Sequence, residues 1–251
     1  MTRAIILAAG RGSRMRGLSD DRPKCLTELN GRPLIERQIA ALRRGGINEI
    51  GVVLGYRADM INLPGLSYFS NERWAETNMV MSLAAAADWL ARGPVIVSYA
   101  DIFYRGELVG GLVDAPGELV VSYDRAWRRL WTRRFADPAS DAETFRISPS
   151  GKLLDIGGKT SRLDDIEGQY MGLLKFTPRA WHVVEELLGT LEAPTRDRLD
   201  MTGLLQRLLA SKRIVIDTFA TSGQWGEIDS PEDAELYETM VTKGELLLED
   251  T

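Results

Sequence analysis

The chain has 251 residues, of which 44% are apolar and 27% charged, an ordinary composition for a globular α/β protein with a substantial core. Its 31 lysines and arginines against 36 aspartates and glutamates give a net charge of −5, which excludes a general basic field for nucleic acid. Any phosphate binding must therefore be local. The single cysteine, Cys25, excludes an intramolecular disulfide.

The chain shows no pattern typical of export or of a membrane span. Its apolar pattern begins within the first few residues, which leaves no room for a signal peptide before it. The apolar run 79–90 is too short to cross a bilayer, and it is flanked by charges. We therefore expect a buried helix at this run and a cytoplasmic protein without a membrane partner.

Strand and helix patterns alternate over the first half of the chain, as is typical of parallel strands joined by crossover helices. The predicted strands are 5–8, 50–54, 67–69 and 95–99, and the predicted helices are 33–44 and 78–91. Ligands of open α/β sheets lie beyond the carboxyl ends of the strands. We therefore expect the loops after Leu7, Leu54 and Tyr99 to share one rim of the sheet.

The second half departs from this alternation. Its predicted strands are 119–123, 145–147, 153–156, 170–176 and 214–219, and its predicted helices are 179–188, 202–211 and 231–241. The turn residues 148–151 predict a hairpin between the second and third of these strands. The predicted fold is one α/β domain over residues 1–251, a Rossmann-like, mixed, mostly parallel sheet flanked by helices. Within it, residues 124–168 form a hairpin-bearing lid or ligand-binding insertion.

The segment 4–16, AIILAAGRGSRMR, runs from an apolar strand into a glycine-rich loop. Gly10 and Gly12 lack the Cβ atoms that would keep backbone N–H groups from phosphate oxygens, while Arg14 and Lys24 supply positive charge. The phosphate-binding motif GxxxxGK[ST] is absent, and Met15 stands where the motif GxGxxG has its third glycine. The loop therefore predicts an anion cradle of another kind.

The string LAAGRGSRM followed by Pro23-Lys24 resembles the nucleotidyltransferase family that makes activated sugars and alcohols from nucleoside triphosphates. The resemblance implies that an acceptor oxygen attacks the α-phosphorus while pyrophosphate leaves, with catalysis by positioning and charge. It implies that Arg14 and Lys24 are catalytic cations, with Lys24 at the α-phosphate. The nucleotide-binding residues that it implies in and beyond the loop are Leu7, Ala8, Ala9, Gly10, Gly12 and Ala100.

Three carboxylates resemble the metal ligands of that family. Asp101 follows the 95–99 strand, and alternation along 227–229 directs Glu227 and Asp229 to one side. Mg²⁺ suits such a sparse set, because it takes one or two carboxylates together with phosphates. Each aspartate has an alternative role as a helix N-cap, since the residues from Asp229 to Glu232 also suit a helix start.

The stretch 71–82, NERWAETNMVMS, resembles the branch of the family that uses CTP and includes the phosphocholine cytidylyltransferases. Tyr56, Thr77, Asn78 and Ser82 are the predicted base contacts, because amide and hydroxyl groups distinguish cytosine from uracil by donor and acceptor pattern. Asn78 has the alternative role of capping the helix that it precedes.

The stretch 127–178 resembles cytidylyltransferases that act on phosphonates such as 2-aminoethylphosphonate, and relatives that act on small phosphorylated amides. Asp141 and Glu143 are suited to bind an acceptor ammonium or a metal. Four cations are suited to bind a second phosphorus group, namely Arg129, Arg133, Arg134 and Lys159. Trp127 and Trp131 are predicted to line the acceptor pocket. The tryptophans could instead belong to the core or form a cage for choline, and the basic run 125–134 could be a solvated face.

These features predict a Mg²⁺-dependent cytidylyltransferase whose partners are CTP and a small phosphonate or phosphomonoester, with 2-aminoethylphosphonate favoured. The alternatives are an enzyme for phosphocholine, a phosphorylated amide or a sugar 1-phosphate, and a nucleotide-binding regulatory module without turnover. His182 and Cys25 are interpreted as structural, since neither has the partners that nucleophilic catalysis needs.

Overall fold

The computed structural model describes residues 1–12 and 21–249 of the chain. The strands in this part are β1 (Arg3–Ala8), β2 (Glu28–Leu29), β3 (Arg32–Pro33), β4 (Ile50–Leu54), β5 (Ser67–Ser70), β6 (Val95–Tyr99), β7 (Ile102–Tyr104), β8 (Leu119–Asp124), β9 (Phe145–Ile147), β10 (Leu153–Ile156), β11 (Gln169–Phe176), β12 (Ile216–Thr221) and β13 (Trp225–Glu227). The helices are α1 (Leu34–Arg44), α2 (Met79–Ala84), α3 (Ala87–Arg92), α4 (Gly106–Asp114), α5 (Trp127–Arg134), α6 (Pro178–Gly189), α7 (Ala193–Asp197), α8 (Met201–Ser211) and α9 (Pro231–Thr242).

Seven strands form the central sheet, in the order β12-β8-β11-β6-β1-β4-β5. β11 is antiparallel to both of its neighbours, and every other neighbouring pair is parallel. In β1, Ala4 and Ile6 pack into the core on one face, while Ile5 and Leu7 pack into the core on the other. Burial on both faces explains the unbroken apolar run of this strand. The predicted fold class, a mixed and mostly parallel sheet flanked by helices, is confirmed.

The hairpin predicted in the 124–168 insertion is present as the antiparallel pair β9 and β10. The insertion lies between β8 and β11, which are neighbours in the sheet. The stacked rings of Tyr123 and Phe145, with centroids 5.0 Å apart, join the hairpin to the sheet. The insertion is therefore packed against the sheet that supports the rim.

The helix predicted over 78–91 is two helices, α2 and α3, because Ala86 leaves the helical conformation. Four alanines occupy positions 84–87 and have equal helix propensity, so the sequence contains no signal for this break. The prediction also missed α4, whose glycines are poor helix formers. A Cβ at Gly111 would lie 2.5 Å from the Phe219 ring, so close packing against β12 explains one of those glycines.

The basic run 125–134 contains α5, an amphipathic helix that the prediction missed. Trp127, Leu130 and Trp131 form its buried face.

Among the described helices, none combines the length and the apolar character that a membrane span requires.

Candidate active site

The carboxyl ends of β1, β4 and β6 meet at one rim of the sheet, where a cavity opens above the glycine-rich loop. We call this the first cavity. Among its lining residues are nine predicted nucleotide contacts, namely Leu7, Ala8, Ala9, Gly10, Gly12, Thr77, Asn78, Ser82 and Ala100. Gly12 has a positive φ of 71°, and a Cβ there would lie 2.8 Å from the Lys24 Cβ. The glycine is therefore required both by the backbone conformation and by the approach of Lys24.

Lys24 lies in the first cavity between two carboxylates. Its Nζ is 2.8 Å from Asp101 Oδ2 and 2.5 Å from Asp229 Oδ1, and its side chain is only 12% exposed. Burial disfavours the ammonium, but the charges and hydrogen bonds of the two aspartates outweigh it and raise the pKa of Lys24. Lys24 is therefore a fixed positive charge at the rim. The three residues stand far apart in the sequence and are brought together by the fold.

Short strands bring the two aspartates to the same place. Asp101 occupies the turn between β6 and β7, and β7 pairs antiparallel with β13, so that Ile102 faces Glu227. The Ile228 N–H donates to the Asp101 carbonyl at 2.9 Å. From α1, the buried Gln38 Nε2 donates to the Tyr99 carbonyl at 2.8 Å and to the Ile102 carbonyl at 2.5 Å. The turn that carries Asp101 is thus held from both sides.

The carboxylate pair fits a divalent cation. Asp101 Oδ1 is buried and has no hydrogen-bond partner, which leaves one acceptor for a cation. In residues 1–12 and 21–249, no group of three or more His, Cys, Asp or Glu side chains forms a complete protein cage for a metal. A cation here would therefore draw its remaining oxygen ligands from a substrate and from water.

Asp229 immediately precedes the N-cap of α9. Ser230 is that N-cap, and it forms a capping box with Asp233. A helix does begin in this segment, but its N-cap is Ser230 and not Asp229, which instead lines the first cavity. Glu227 accepts a hydrogen bond from Arg134 Nη1 at 2.8 Å. Burial raises the pKa of the Glu227 carboxyl. The charge of Arg134 lowers this pKa, and the charges of Asp229 and Asp101 raise it further.

A polar cluster at the other end of the first cavity is organised by Asn71, which the sequence analysis did not single out. Asn71 is buried, and its Nδ2 donates to Thr77 Oγ1 and to Ser82 Oγ, both at 3.0 Å. Its position directly after β5 was the signal that could have identified it. Asn78 caps α2 by accepting from the Met79 N–H at 2.8 Å, and it also lines the cavity.

The predicted base contact Tyr56 is not among the residues that line the first cavity. Its ring packs edge-on against Trp74, which does line the cavity, with centroids 5.3 Å apart. Its N–H donates to the Ala9 carbonyl at 3.0 Å. Tyr56 therefore supports the wall of the cavity from behind.

A second cavity adjoins the first and shares Met79, Tyr99, Asp101 and Asp229 with it. Its other acidic lining residues are Asp141, Glu143 and Glu227, and its polar lining includes Thr144, Gln169, Tyr170 and Thr202, which the sequence analysis did not identify. The described lining contains no lysine or arginine. This cavity is therefore acidic and opens onto the same two aspartates as the first.

Glu143 is held at the second cavity through its backbone. Its N–H donates to Gln169 Oε1 at 3.3 Å, and its carbonyl accepts from Gln169 Nε2 at 2.7 Å. Burial raises the pKa of the Glu143 carboxyl. The charge of Lys159 lowers this pKa, and the charge of Asp141 raises it. Lys159 lies beside the cavity, with its Nζ 3.9 Å from Glu143 Oε1 and 3.2 Å from the Asp141 carbonyl oxygen.

Two of the predicted acceptor contacts lie away from both cavities. Trp127 is 3% exposed, donates from Nε1 to the Ile166 carbonyl at 3.3 Å and lines neither cavity. Arg133 is paired with Glu245 on the surface and also lines neither cavity. Trp131 does reach the second cavity, where its Nε1 donates to Asp141 Oδ2 at 3.1 Å. Arg14 lies outside the described residues.

The fold and this rim define a nucleotide-binding α/β protein with a lysine set between two carboxylates. Residues 4–200 match the model of the MobA-like NTP transferase domain. The chain therefore belongs to the MobA-like NTP transferase family, and it is a nucleotidyltransferase.

Curated relatives use CTP. The chain is 37% identical over 256 residues to the CTP:phosphoglutamine cytidylyltransferase of Campylobacter jejuni, a match that covers 93% of this chain and 98% of that protein. It is 37% identical over 161 residues to the 2-aminoethylphosphonate cytidylyltransferase of Lancefieldella rimae, covering 62% of this chain and 61% of that protein. The predicted resemblance to the CTP-using branch is confirmed.

The fold is shared with solved structures of the class. The inositol-1-phosphate CTP transferase from T. maritima superposes with a TM-score of 0.74 at 20% identity, covering 98% of each chain. At this level of identity the similarity concerns the fold alone.

Proposed function

We propose that this protein is a cytidylyltransferase that transfers CMP from CTP to a small phosphorylated or phosphonate acceptor that carries an ammonium group, with release of pyrophosphate. The observation that carries the proposal is the junction of the two cavities at Asp101 and Asp229. A nucleotide in the first cavity and an acceptor in the second would meet over the same pair of carboxylates.

The first cavity has the parts that CTP requires. The glycine-rich loop offers backbone N–H groups to the phosphates, and Lys24 offers a positive charge where negative charge grows on the α-phosphate. Thr77 and Ser82 also line this cavity, and their hydroxyls, oriented by Asn71, are our proposed readers of the base.

Mg²⁺ is the proposed cofactor, held by Asp101 and Asp229 with phosphate oxygens as its further ligands. The buried, unpartnered Asp101 Oδ1 supports this assignment. When bound, the ion would supply charge neutralisation for the phosphates and a template for their orientation. Lys24 keeps its proton because its pKa is raised, so it acts as a charge and not as a base. The attacking oxygen belongs to an acceptor phosphoryl group that is already anionic and needs no general base.

The second cavity supports the choice of acceptor. Asp141 and Glu143 would attract an ammonium group, and they would repel an acceptor with a negative charge at the end away from its phosphorus. Glu227 also lines this cavity, but it is paired with Arg134. The aminoethylphosphonate acceptor favoured from the sequence has this form. Phosphoglutamine, the substrate in the name of the Campylobacter relative, carries both an ammonium and a carboxylate. Its carboxylate would need a cation, and Lys159 is the described lysine that lies beside Glu143.

The test is the release of pyrophosphate from CTP and Mg²⁺ with a panel of acceptors. The panel contains 2-aminoethylphosphonate, ethylphosphonate as its matched control without the amine, phosphoglutamine, phosphoethanolamine, phosphocholine and a sugar 1-phosphate, with the other nucleoside triphosphates as donor controls. We expect CTP alone to support turnover and the amine-bearing acceptors to exceed ethylphosphonate. Equal rates for 2-aminoethylphosphonate and ethylphosphonate would contradict the ammonium site. CTP binding without turnover of any acceptor would favour the regulatory module.

A further inference from the structure

Arg134 is a buried arginine at the end of α5 that faces the carboxylates of the site. Its side chain is only 1% exposed. Its guanidinium lies near the rings of Trp131 and Phe135, 5.3 Å and 5.0 Å from their centroids. The sequence analysis named Arg134 among cations for an acceptor phosphorus group. The structure gives it other partners, because its donors are directed at acidic residues of the chain itself.

Three carboxylates surround this guanidinium. Its Nε and Nη2 bind Asp233 Oδ1 and Oδ2 at 2.8 and 3.1 Å, a two-pronged arrangement. Its Nη1 binds Glu227 Oε1 at 2.8 Å, and its Nη2 lies 3.7 Å from Asp229 Oδ2. Asp229 is thereby set between two cations, with Oδ1 on Lys24 and Oδ2 towards Arg134.

Asp233, which is bound to Arg134, also forms hydrogen bonds with the backbone at Asp229. Its Oδ2 accepts from the N–H groups of Asp229 and Ser230, at 2.9 and 3.1 Å. Arg134 therefore acts on Asp229 in two ways, through its positive charge 3.7 Å from the side-chain oxygen and through the Asp233 carboxylate that anchors the Asp229 backbone. A planar guanidinium can satisfy several carboxylate oxygens at fixed angles, whereas an ammonium acts as a point charge.

We propose that Arg134 is a positioning residue for the reaction, which orients Asp229 towards Lys24 and Asp101 and so couples helix α5 of the insertion to the carboxylate pair. The inference rests on the proposed function for the metal site at Asp101 and Asp229 and for its kinetic consequences. Arg134 itself lines neither cavity among the described residues and need not touch the nucleotide or the acceptor.

The experiment compares R134K, R134M and the control R128M. Arg128 suits the control because it lies on the same helix, pairs with Asp164 at 2.8 Å and lies over the Trp127 ring, but on the exposed surface. Three quantities are measured for each variant: the thermal unfolding midpoint, the affinity for Mn²⁺ in the presence of CTP by electron paramagnetic resonance, and the steady-state constants as a function of Mg²⁺ concentration.

We expect R134M to weaken Mn²⁺ affinity and to lower kcat by about 10- to 100-fold, with a similar rise in the Mg²⁺ concentration for half-maximal activity. KM for the acceptor should change much less, because Arg134 lies outside the cavity lining. R134K should recover part of the lost Mn²⁺ affinity and kcat, because lysine keeps the positive charge but lacks the paired N–H donors of the guanidinium. R128M should match the wild type in all three quantities.

A folded R134M with wild-type Mn²⁺ affinity and kcat would overturn the proposal, and so would failure of the wild type to bind Mn²⁺ with CTP. A purely structural role predicts a lower unfolding midpoint without a change in metal affinity. If R134M does not fold, R134K decides: unchanged Mn²⁺ affinity overturns the proposal, and weakened affinity supports it. Absence of turnover in the wild type would refute the proposed function, while the Mn²⁺ measurement would still decide on Arg134.

Discussion

The two cavities are built in different ways, although they share Asp101 and Asp229. The first cavity depends on a short glycine-rich motif and on segments that follow strands of the sheet, so most of its lining residues fall in a few short stretches of the sequence, with Asp229 as the distant exception. The second draws on α5, the insertion hairpin, β11, α8 and the segment after β13, and its polar side chains come from remote positions. The nucleotide side therefore depends mainly on the sheet rim, whereas the acceptor side depends on the packing of the insertion against that rim.

Charge separates the two cavities as well. The first contains Lys24, which is compensated by two aspartates, whereas the described lining of the second is acidic and contains no lysine or arginine. Under the proposed function, the phosphate chain of CTP and the ammonium group of the acceptor would lie on different sides of one carboxylate pair.

Lys24→Met should abolish the function of both cavities at once. We expect kcat/KM to fall on the order of 10²- to 10³-fold, because a fixed charge at the reacting phosphate is lost and two carboxylates lose their shared partner. Steady-state kinetics of pyrophosphate release measures the loss. Lys152→Met is the matched control, since Lys152 also pairs with an aspartate, Asp217, away from both cavities. A Lys24→Met enzyme with near-normal turnover would remove Lys24 from the mechanism.

Asn71→Ala should affect the nucleotide side alone. Thr77 and Ser82 each lose a donor at 3.0 Å, so their hydroxyls are held less firmly, although Thr77 Oγ1 still donates to the Arg73 carbonyl at 2.8 Å. We expect KM for CTP to rise about tenfold, equivalent to about 1.4 kcal/mol, and discrimination against UTP to weaken. KM for the acceptor should stay the same. Exposed Asn48→Ala serves as the control. An unchanged ratio of CTP to UTP use would contradict the proposed base site.

Glu143→Gln should affect the acceptor side alone. We expect KM for 2-aminoethylphosphonate to rise by about three- to tenfold, while KM for CTP and for ethylphosphonate changes little. Kinetics with both phosphonates at one fixed CTP concentration measures the difference. A similar rise for the two phosphonates would mean that Glu143 does not recognise the amine.

The pH dependence of acceptor binding should follow the same residue. An ammonium is attracted only by the ionised carboxylate, and burial raises the pKa of Glu143. As pH falls, KM for the amine-bearing acceptor should therefore begin to rise at a higher pH than an ordinary glutamate would cause. Glu143→Gln should remove this rise. A wild-type profile that matches the variant would exclude Glu143 as the titrating group.

Cys25 should have the smallest effect, although it lines the first cavity beside Lys24. It is 2% exposed, and burial raises the pKa of its thiol to about 12, so the thiolate is scarce at neutral pH. We expect a disulfide reagent to modify the native protein far more slowly than the protein in urea, as followed by released thiol chromophore. Cys25→Ala should keep its turnover. Rapid native labelling would contradict the buried placement.

Much of the nucleotide side could be predicted from the sequence. The predicted strands 50–54 and 95–99, which lead to this side, have the bounds that the structure shows, because each is a short apolar run between turn residues. The hairpin strands 145–147 and 153–156 on the acceptor side also have their predicted bounds. The glycine-rich loop and Lys24 could be located for a similar reason, since the residues that must approach phosphate stand close together in the chain. The assignments of Lys24, Asp101 and Asp229 to catalysis and metal binding remain predictions.

Only the tertiary structure decided which charged side chains face the site and which face one another. Arg133 and Arg134 are adjacent and chemically identical in the sequence, yet one pairs with Glu245 on the surface and the other is buried among Glu227, Asp229 and Asp233. Trp127 and Trp131 are both buried in the core, yet the indole N–H of Trp127 donates to the Ile166 carbonyl and that of Trp131 donates to Asp141 in the second cavity. Local sequence determines periodicity and turn chemistry, but the partner of a charge is set by packing between elements that lie roughly a hundred residues apart.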